Sequence, residues 1–320
     1  MFDMFDFVDT GTSQREAFRA DVLAGMSGGP KSLPSRWLYD KRGSELFEEI
    51  TGLDEYYPTR TETAILRRHV DEMADLCGAD GVLLEYGAGA GLKFEILANS
   101  LSPRMYVPID IARDFLSQTV ARIRQQFPRL SVRPIVADFT TPFDISADIP
   151  ESGRVAFFPG STIGNLDSRE AEALLRRMRR HVGESGKAII GVDLRKSINT
   201  LIAAYDDRRG VTAAFNLNLL ARINRELDAD FHLNRFSHEA RWNEEESAIE
   251  MHLVSLRPQV VMIAGRRFAF EHRETIHTES SRKYDVLGFG DVVQRCGWRM
   301  AKVWSDPAKH FAVFGLDAAR

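Results

Sequence analysis

A glycine-rich segment holds the residues of this 320-residue chain that are best suited to ligand chemistry. It reads Glu85-Tyr86-Gly87-Ala88-Gly89-Ala90-Gly91-Leu92-Lys93 and follows an apolar run. Glycine lets a backbone turn tightly and approach a ligand closely. The loop after the first strand of an open α/β sheet is also where nucleotides bind. The segment therefore predicts a loop that holds a nucleotide-like ligand.

The spacing of the glycines indicates which ligand this is. A dinucleotide fold uses G-x-G-x-x-G, but the sixth position counted from Gly87 is Leu92. The spacing here is G-x-G-x-G with an acid, Glu85, two residues before the first glycine. This pattern is typical of S-adenosylmethionine binding, and it disfavours a nicotinamide oxidoreductase.

Two acidic residues stand at the ends of the next apolar runs. Asp110 ends the second run and could accept hydrogen bonds from both ribose hydroxyls, and Asp138, followed by Phe139, ends the third and could accept from the adenine amino group. Each acid alone could be an ordinary helix cap, and the glycine segment alone an ordinary loop. Their joint position after three strands predicts one nucleoside site.

These residues need a parallel sheet to position them. Five apolar runs alternate with amphipathic helical stripes: Val82–Tyr86, Met105–Ile111, Val132–Ala137, Val155–Phe158 and Ala188–Val192. Such βαβ alternation calls for parallel strands with helices on both faces. Two final runs, residues 298–304 and 310–316, predict an antiparallel pair that closes the sheet. The prediction is an α/β fold with a doubly wound, mostly parallel, seven-stranded Rossmann-like sheet.

The alternation lapses beyond Lys196, which predicts a second α+β domain. A helical stripe through residues 215–227 is followed there by polar-apolar strand patterns. We predict that residues 1–60 and 196–282 form this domain, and that residues 61–195 and 283–320 form the domain with the parallel sheet. Thr59 and Glu62 have the spacing of a capping box at the start of a helix.

Composition narrows the classes of partner. The formal net charge is −4, so no basic field draws the chain to nucleic acid or to anionic lipid. The eight histidines and two cysteines show no metal-binding spacing, which predicts no metal. The first seven residues lack the features of a signal peptide or a membrane span. The sequence thus predicts a cytoplasmic monomer with a small-molecule substrate.

Four further motifs give the chain a family resemblance. They are Glu55-Tyr56-Tyr57-Pro58-Thr59-Arg60, Gly160-Ser161-Thr162-Ile163-Gly164-Asn165, Tyr205-Asp206-Asp207 and Glu279-Ser280-Ser281. With the glycine segment, the chain resembles nearly end to end the histidine-specific methyltransferases of ergothioneine biosynthesis. Members of that family trimethylate the α-nitrogen of histidine to give hercynine, and S-adenosylmethionine becomes S-adenosylhomocysteine. The resemblance implies a class I methyltransferase domain and a substrate-binding domain.

The resemblance also implies roles for single residues. Those implied to contact the methyl donor are Gly87, Lys93, Asp110, Asp138 and Phe139. Those implied to bind the amino acid are Tyr56 and Tyr205 at its carboxylate, Asn165 with Gly160 near its amine, and Glu279, Ser281 and Met251 at its ring. Asn165 is the candidate catalytic residue that orients the amine, and Tyr39 is a candidate proton relay. The chain departs from the family at Ala88, Ala90 and Leu92, where hydroxyl side chains are expected.

Other interpretations stay open at this point. Asn165 could cap the next helix, Tyr39 could be a packing residue, Glu279 could lie on the surface, and Lys93 could be only a solvated side chain. The substrate could be tryptophan or another aromatic amino acid. The chain could also be a non-catalytic module that binds S-adenosylmethionine or an amino acid.

Overall fold

The computed structural model describes residues 8–9 and 14–319, which divide into two units. The first unit contains residues 8–9, 58–195 and 283–319, and the second contains residues 14–57 and 196–282. Residues 1–7 and 10–13, and with them part of the segment predicted as 1–60, lie outside the described residues. Val8–Asp9 pairs with a strand of the first unit, whereas the sequence-based boundary assigns it to the other domain.

The helices and strands are numbered in chain order. The α-helices are α1 Gln14–Ser27, α2 Lys41–Thr51, α3 Tyr57–Cys77, α4 Leu92–Leu101, α5 Arg113–Gln126, α6 Ser168–Val182, α7 Ile198–Tyr205, α8 Val211–Leu227 and α9 Val286–Arg295. The strands are β1 Val8–Asp9, β2 Lys31–Ser32, β3 Val82–Tyr86, β4 Met105–Asp110, β5 Ser131–Val132, β6 Ile135–Val136, β7 Arg154–Phe158, β8 Lys187–Asp193, β9 Phe236–Asn243, β10 Ala248–Ser255, β11 Gln259–Ile263, β12 Arg266–Phe270, β13 Thr275–Arg282, β14 Trp298–Ser305 and β15 Phe311–Ala318. Among the described helices, none is long and apolar enough to cross a membrane.

The first unit is built on one large sheet. Its strand order is β1-β6-β4-β3-β7-β8-β15-β14, with β5 also paired to β4. In this order, the neighbouring strands β1, β6, β4, β3, β7 and β8 run parallel to one another. Strand β15 runs antiparallel to both of its neighbours, β8 and β14. All residues of β3 and β7 are buried, as expected for parallel strands covered on both faces. The predicted α/β class and the antiparallel closing pair are confirmed.

The described part of this sheet has nine strands, two more than predicted. The run Val132–Ala137 forms two short strands, β5 and β6, instead of one. Pro134 lies between them, and proline cannot donate a hydrogen bond to a neighbouring strand. The second additional strand is β1, which pairs with β6.

The second unit combines helices with a separate sheet. Its four-stranded sheet has the order β2-β13-β10-β9, and β11 and β12 form a hairpin. The apolar stripe of α8 lies in the core of this unit, where Phe215, Leu219, Ile223 and Leu227 are all buried. This unit is therefore α+β, as the sequence predicted. Strand β10 is irregular between Met251 and His252, where its register against β13 shifts.

Candidate active site

The glycine segment forms a tight loop between β3 and α4. Gly87, Gly89 and Gly91 have φ values of 69°, 50° and 66°, a region that side chains with a Cβ rarely adopt. The N–H groups of Gly87 and Ala88 donate to the carbonyl oxygen of Ile109, which fixes the loop against β4. A Cβ added to Gly89 would meet no heavy atom within 4 Å. The loop therefore faces open space at its centre.

The predicted acids lie beside this loop. The carboxylate of Asp110 accepts hydrogen bonds from the backbone N–H of Gly89 at 3.0 Å and of Ala112 at 2.9 Å. Burial raises the pKa of Asp110, although these two donors oppose the shift. Asp110 is paired with Val136 of β6, and Asp138 follows two residues later. The structure thus brings Asp110 and the loop into contact, and places Asp138 at the same edge of the sheet.

Asp138 and Phe139 form the next part of this edge. Oδ1 of Asp138 accepts hydrogen bonds from the backbone N–H of Thr140 at 2.8 Å and from its hydroxyl at 2.5 Å. The Phe139 ring lies 3.5 Å from the point where a Cβ on Gly87 would stand. The ring is therefore next to the glycine loop, where it could flank a ligand.

Lys93 forms an ion pair with Glu62, an acid that the sequence analysis placed in a capping box. Its ammonium nitrogen lies 2.5 Å from Oε2 of Glu62, and both carboxylate oxygens of Glu62 lie 2.9 Å from the backbone nitrogen of Gly160. The predicted capping box is wrong, because α3 begins at Tyr57 and Glu62 lies inside the helix with its carboxylate buried. The interpretation of Lys93 as only a solvated side chain is also wrong.

The segment after β7 carries Gly160 and Asn165. Gly160 and Ser161 have positive φ, and the Ser161 hydroxyl oxygen accepts a hydrogen bond from the backbone N–H of Asp193 at 2.9 Å. Asn165 ends the 3-10 turn Thr162–Asn165 and is half-buried. The cap of α6 is Asp167, which forms a capping box with Glu170. Asn165 is therefore not the helix cap.

In the second unit, an aromatic cluster collects three of the predicted tyrosines. The Tyr39 ring packs on Phe47 and Phe215 with centroid distances of 5.5 and 5.4 Å. Tyr56 packs on Phe47 at 6.2 Å and on Tyr205 at 6.1 Å. Phe47 and Phe215 were not singled out as site residues, because their positions on α2 and α8 are those of ordinary core residues.

The predicted ring-binding residues lie on two neighbouring strands of this unit. Met251 of β10 pairs with Glu279 of β13, and Ile249 pairs with Ser281. The hydroxyl of Tyr205 donates to Oγ of Ser281 at 2.7 Å, which connects this strand pair to the aromatic cluster. Glu279 is only 6% exposed. The interpretation of Glu279 as a surface residue is therefore wrong.

Comparison with known proteins decides the family. Residues 18–318 match the family described as histidine-specific, SAM-dependent methyltransferases. The chain belongs to this family. It is 39% identical over 308 residues to histidine N-alpha-methyltransferase of Mycolicibacterium smegmatis, covering 94% of this chain and 95% of the relative. It is also 39% identical over 304 residues to histidine N-alpha-methyltransferase of Mycobacterium tuberculosis, covering 93% of this chain and 94% of the relative.

A solved structure supports the fold. The CcbJ methyltransferase from Streptomyces caelestis superposes with a TM-score of 0.50 and covers 80% of this chain and 90% of its own. Its sequence is 13% identical to this chain, so the likeness concerns the fold alone. The Rossmann-like methyltransferase fold predicted from the sequence is confirmed.

The first unit of this family member fits S-adenosylmethionine. The open space at Gly89 admits a ligand, and the carboxylates of Asp110 and Asp138 can accept from ribose hydroxyls and from an adenine amino group. Lys93 has a partly exposed side chain, and its ammonium can pair with the donor's carboxylate. Within the described residues no cluster of three or more metal-binding side chains occurs.

Sequence reasoning missed a group of polar residues that hold the segment after Asp138. Arg177 of α6 donates to the carbonyl oxygen of Phe139. His181, one turn further along α6, has Nε2 at 3.0 Å from the carbonyl oxygen of Phe143 and Nδ1 at 2.9 Å from the hydroxyl of Tyr86. Basic residues on an amphipathic helix are ordinarily solvated, yet both of these side chains are buried.

His181 predicts how stability depends on pH. Burial lowers its pKa to about 4 from an ordinary value of 6.5, so the folded protein favours the neutral imidazole. Between pH 6.5 and 4 the unfolded chain binds more protons at this site, and the free energy of unfolding falls as the pH falls. We expect this site to contribute a loss of about 2 kcal/mol between pH 6.5 and 4.5.

Urea denaturation at pH 6.5 and 4.5 measures this loss. The comparison is with His181→Gln, whose amide can keep the hydrogen bond to Phe143 but does not titrate in this range. The variant is expected to be less stable at pH 6.5 and to lose less stability on acidification. An equal loss in both proteins would contradict the assignment to His181.

Proposed function

We propose that this protein methylates the α-amino group of L-histidine, giving hercynine after three transfers, as a step of ergothioneine biosynthesis. The observation that carries the choice of histidine is the burial of Glu279, which lies opposite Met251 on the neighbouring strand. A buried carboxylate can accept a hydrogen bond from a ring N–H group, which a hydrocarbon ring does not offer. The family and both bacterial relatives support this proposal.

The donor site is proposed in the first unit, which would be the methyltransferase domain. There Gly87, Asp110, Asp138 and Phe139 would hold the adenosine part, and Lys93 the carboxylate. S-adenosylmethionine, when bound, supplies an electrophilic methyl group and leaves as S-adenosylhomocysteine. Ala88, Ala90 and Leu92 offer no hydroxyl to the methionine part, so backbone groups of the loop must do more of the binding.

The second unit is proposed to be the substrate-binding domain. Tyr56 and Tyr205, which pack on each other, would bind the amino-acid carboxylate. Glu279 would accept a hydrogen bond from the imidazole, and Ser281 would donate one to it. Met251 would flank the ring. The existing bond between Tyr205 and Ser281 keeps both hydroxyls oriented before a ligand binds.

Two residues are proposed to act on the amine. Amino acids carry an ammonium group at neutral pH, so each transfer requires that the nitrogen lose a proton and expose its lone pair. Asn165, with Gly160 beside it in the same segment, would orient the amine through its side-chain carbonyl. Tyr39, a phenol that packs on Phe47 and Phe215, would relay the proton onward through water. Positioning of this kind contributes about 7 to 11 kcal/mol to barrier lowering.

Mass spectrometry of one incubation tests the proposal. The protein is mixed with S-adenosylmethionine and all twenty amino acids, and each amino acid is examined for gains of one, two or three methyl groups. Histidine alone is expected to gain mass and to reach the trimethylated form. Gain by tryptophan alone would overturn the substrate and keep the reaction. Binding of donor without any gain would favour a non-catalytic module.

The cytoplasmic location and the monomeric state inferred from the sequence remain predictions. Size-exclusion chromatography with light scattering measures the second of these, with 36.1 kDa expected for one chain. A mass of twice that value would overturn it.

A further inference from the structure

Glu62 is a fully buried acid at the meeting point of three elements of the first unit. It lies on α3, its ionic partner Lys93 lies on α4, and its hydrogen-bond donor Gly160 follows β7. The three residues are separated by 31 and 67 positions in sequence. A charge is removed from water only at a cost, so the contacts of this carboxylate must compensate for its burial.

The sheet provides room for this carboxylate. A Cβ on Gly191, in the middle of β8, would lie 1.9 Å from Oε1 of Glu62. Any residue other than glycine at this position would force the carboxylate to move. The lack of a side chain at Gly191 therefore leaves the space that the Glu62 carboxylate occupies.

Lys93 gains orientation from this contact. A lysine side chain has four carbon atoms beyond its Cα and many rotamers, so a free ammonium group must be ordered when a ligand binds. In this structure the ammonium is already tied to Glu62, and the lysine side chain remains 19% exposed. The ammonium is thus held by the protein, while the side chain as a whole keeps some solvent exposure.

We propose that Glu62 is a positioning residue for both substrates: it orients the Lys93 ammonium for the donor's carboxylate, and it holds the Gly160 segment that leads to Asn165. The proposal rests on the proposed function, since it takes Lys93 as a donor contact and Asn165 as an amine contact. Glu62 touches neither reactant in this assignment. Glu62 would act through the Lys93 ammonium and through the Gly160 N–H, and mutations can separate these two effects.

Two substitutions separate the two effects. Glu62→Gln removes the charge but keeps an oxygen that can accept from the Gly160 N–H, so it should weaken donor binding alone. Glu62→Leu removes both contacts. Titration calorimetry with S-adenosylhomocysteine is expected to show a Kd about tenfold higher for both variants. The KM for histidine should stay within about twofold for the Gln variant and rise about tenfold for the Leu variant.

Two further variants test the route through Lys93. Adding Lys93→Met to Glu62→Gln should not raise the Kd beyond that of Lys93→Met alone, because the acid acts through this lysine. Gly191→Ala should weaken donor binding as Glu62→Leu does, since it displaces an intact Glu62. The matched control is Gly52→Ala, where the added Cβ meets nothing closer than 3.5 Å and the Kd should not change. Circular dichroism confirms that each variant is folded.

The outcomes distinguish this proposal from the proposed function. If the unaltered protein does not bind S-adenosylhomocysteine, the proposed function fails. If it binds and Glu62→Gln binds equally well, the positioning role of Glu62 is overturned. Additive effects of Glu62→Gln and Lys93→Met would overturn the route through Lys93. Equal rises in KM for the Gln and Leu variants would overturn the separate role at Gly160.

Discussion

Replacing Lys283 by methionine is expected to lower the free energy of unfolding by about 3 to 5 kcal/mol. Its ammonium nitrogen lies 2.8 Å from Oδ2 of Asp193, and both side chains have no solvent exposure. Methionine has a similar length and no charge, so the substitution leaves the Asp193 carboxylate buried without its cation. Loss of one partner of a buried pair is costly mainly because the remaining charge is uncompensated.

Urea denaturation monitored by circular dichroism measures this effect. The control is Lys187→Met. The ammonium nitrogen of Lys187 lies 2.7 Å from Oδ1 of Asp317, and the two side chains are 31% and 12% exposed. Partly exposed pairs contribute about 1 kcal/mol or less, so the control should change little. The double variant Lys283→Met with Asp193→Asn should be more stable than Lys283→Met alone. A loss below 1 kcal/mol for Lys283→Met would contradict the prediction.

Glu279→Ala is expected to reduce kcat/KM for histidine about 100-fold. The carboxylate is buried and is proposed to accept from the imidazole N–H, and a hydrogen bond to a charged group contributes about 1.5 to 3 kcal/mol. Adding Met251→Val should widen the same region and shift the preference towards tryptophan. Steady-state assays with both amino acids measure the ratio of the two kcat/KM values.

A neighbouring acid provides the control for this prediction. Glu250 lies on β10 next to Met251, and its carboxylate contacts His252 and Asn243 instead of the proposed ring-binding residues. Glu250→Ala should change kcat/KM for histidine by less than about threefold, as expected for a residue without a ligand contact. If Glu279→Ala retained the histidine preference, the assignment of Glu279 as the specificity residue would be wrong.

The donor side of the site was largely predictable because parallel sheets impose it. Apolar runs located β3 and β4, and the ends of parallel strands meet at one edge, so the loop and Asp110 had to be neighbours. Glu62 could not be found in this way. Its partners are far away in sequence, and an acid on an amphipathic helix looks like a solvated residue until the packing of that helix is known.

The substrate side depended on resemblance more than on pattern. Tyr56 precedes α3, Tyr205 ends α7 and Glu279 lies on β13, and no period in the sequence would bring the three together. Only the strand pairing reveals that Glu279 faces Met251, and the register shift in β10 could not be inferred from alternation. Phe47 and Phe215 were hidden for the opposite reason, because aromatic residues on apolar helical stripes are usually core.

The raised pKa of Glu85 affects the heat of unfolding that calorimetry measures. Burial raises the pKa of this acid, two residues before the glycine loop, to about 8 from an ordinary 4.5, although a hydrogen bond from Tyr106 lowers it in part. The folded chain thus keeps a proton there at pH 7 that the unfolded chain gives up. Stability from this group is fully present below pH 4.5 and is lost as the pH rises through 8. Heat absorbed on unfolding at neutral pH will then include the ionisation enthalpy of the buffer, and it will differ between phosphate and Tris.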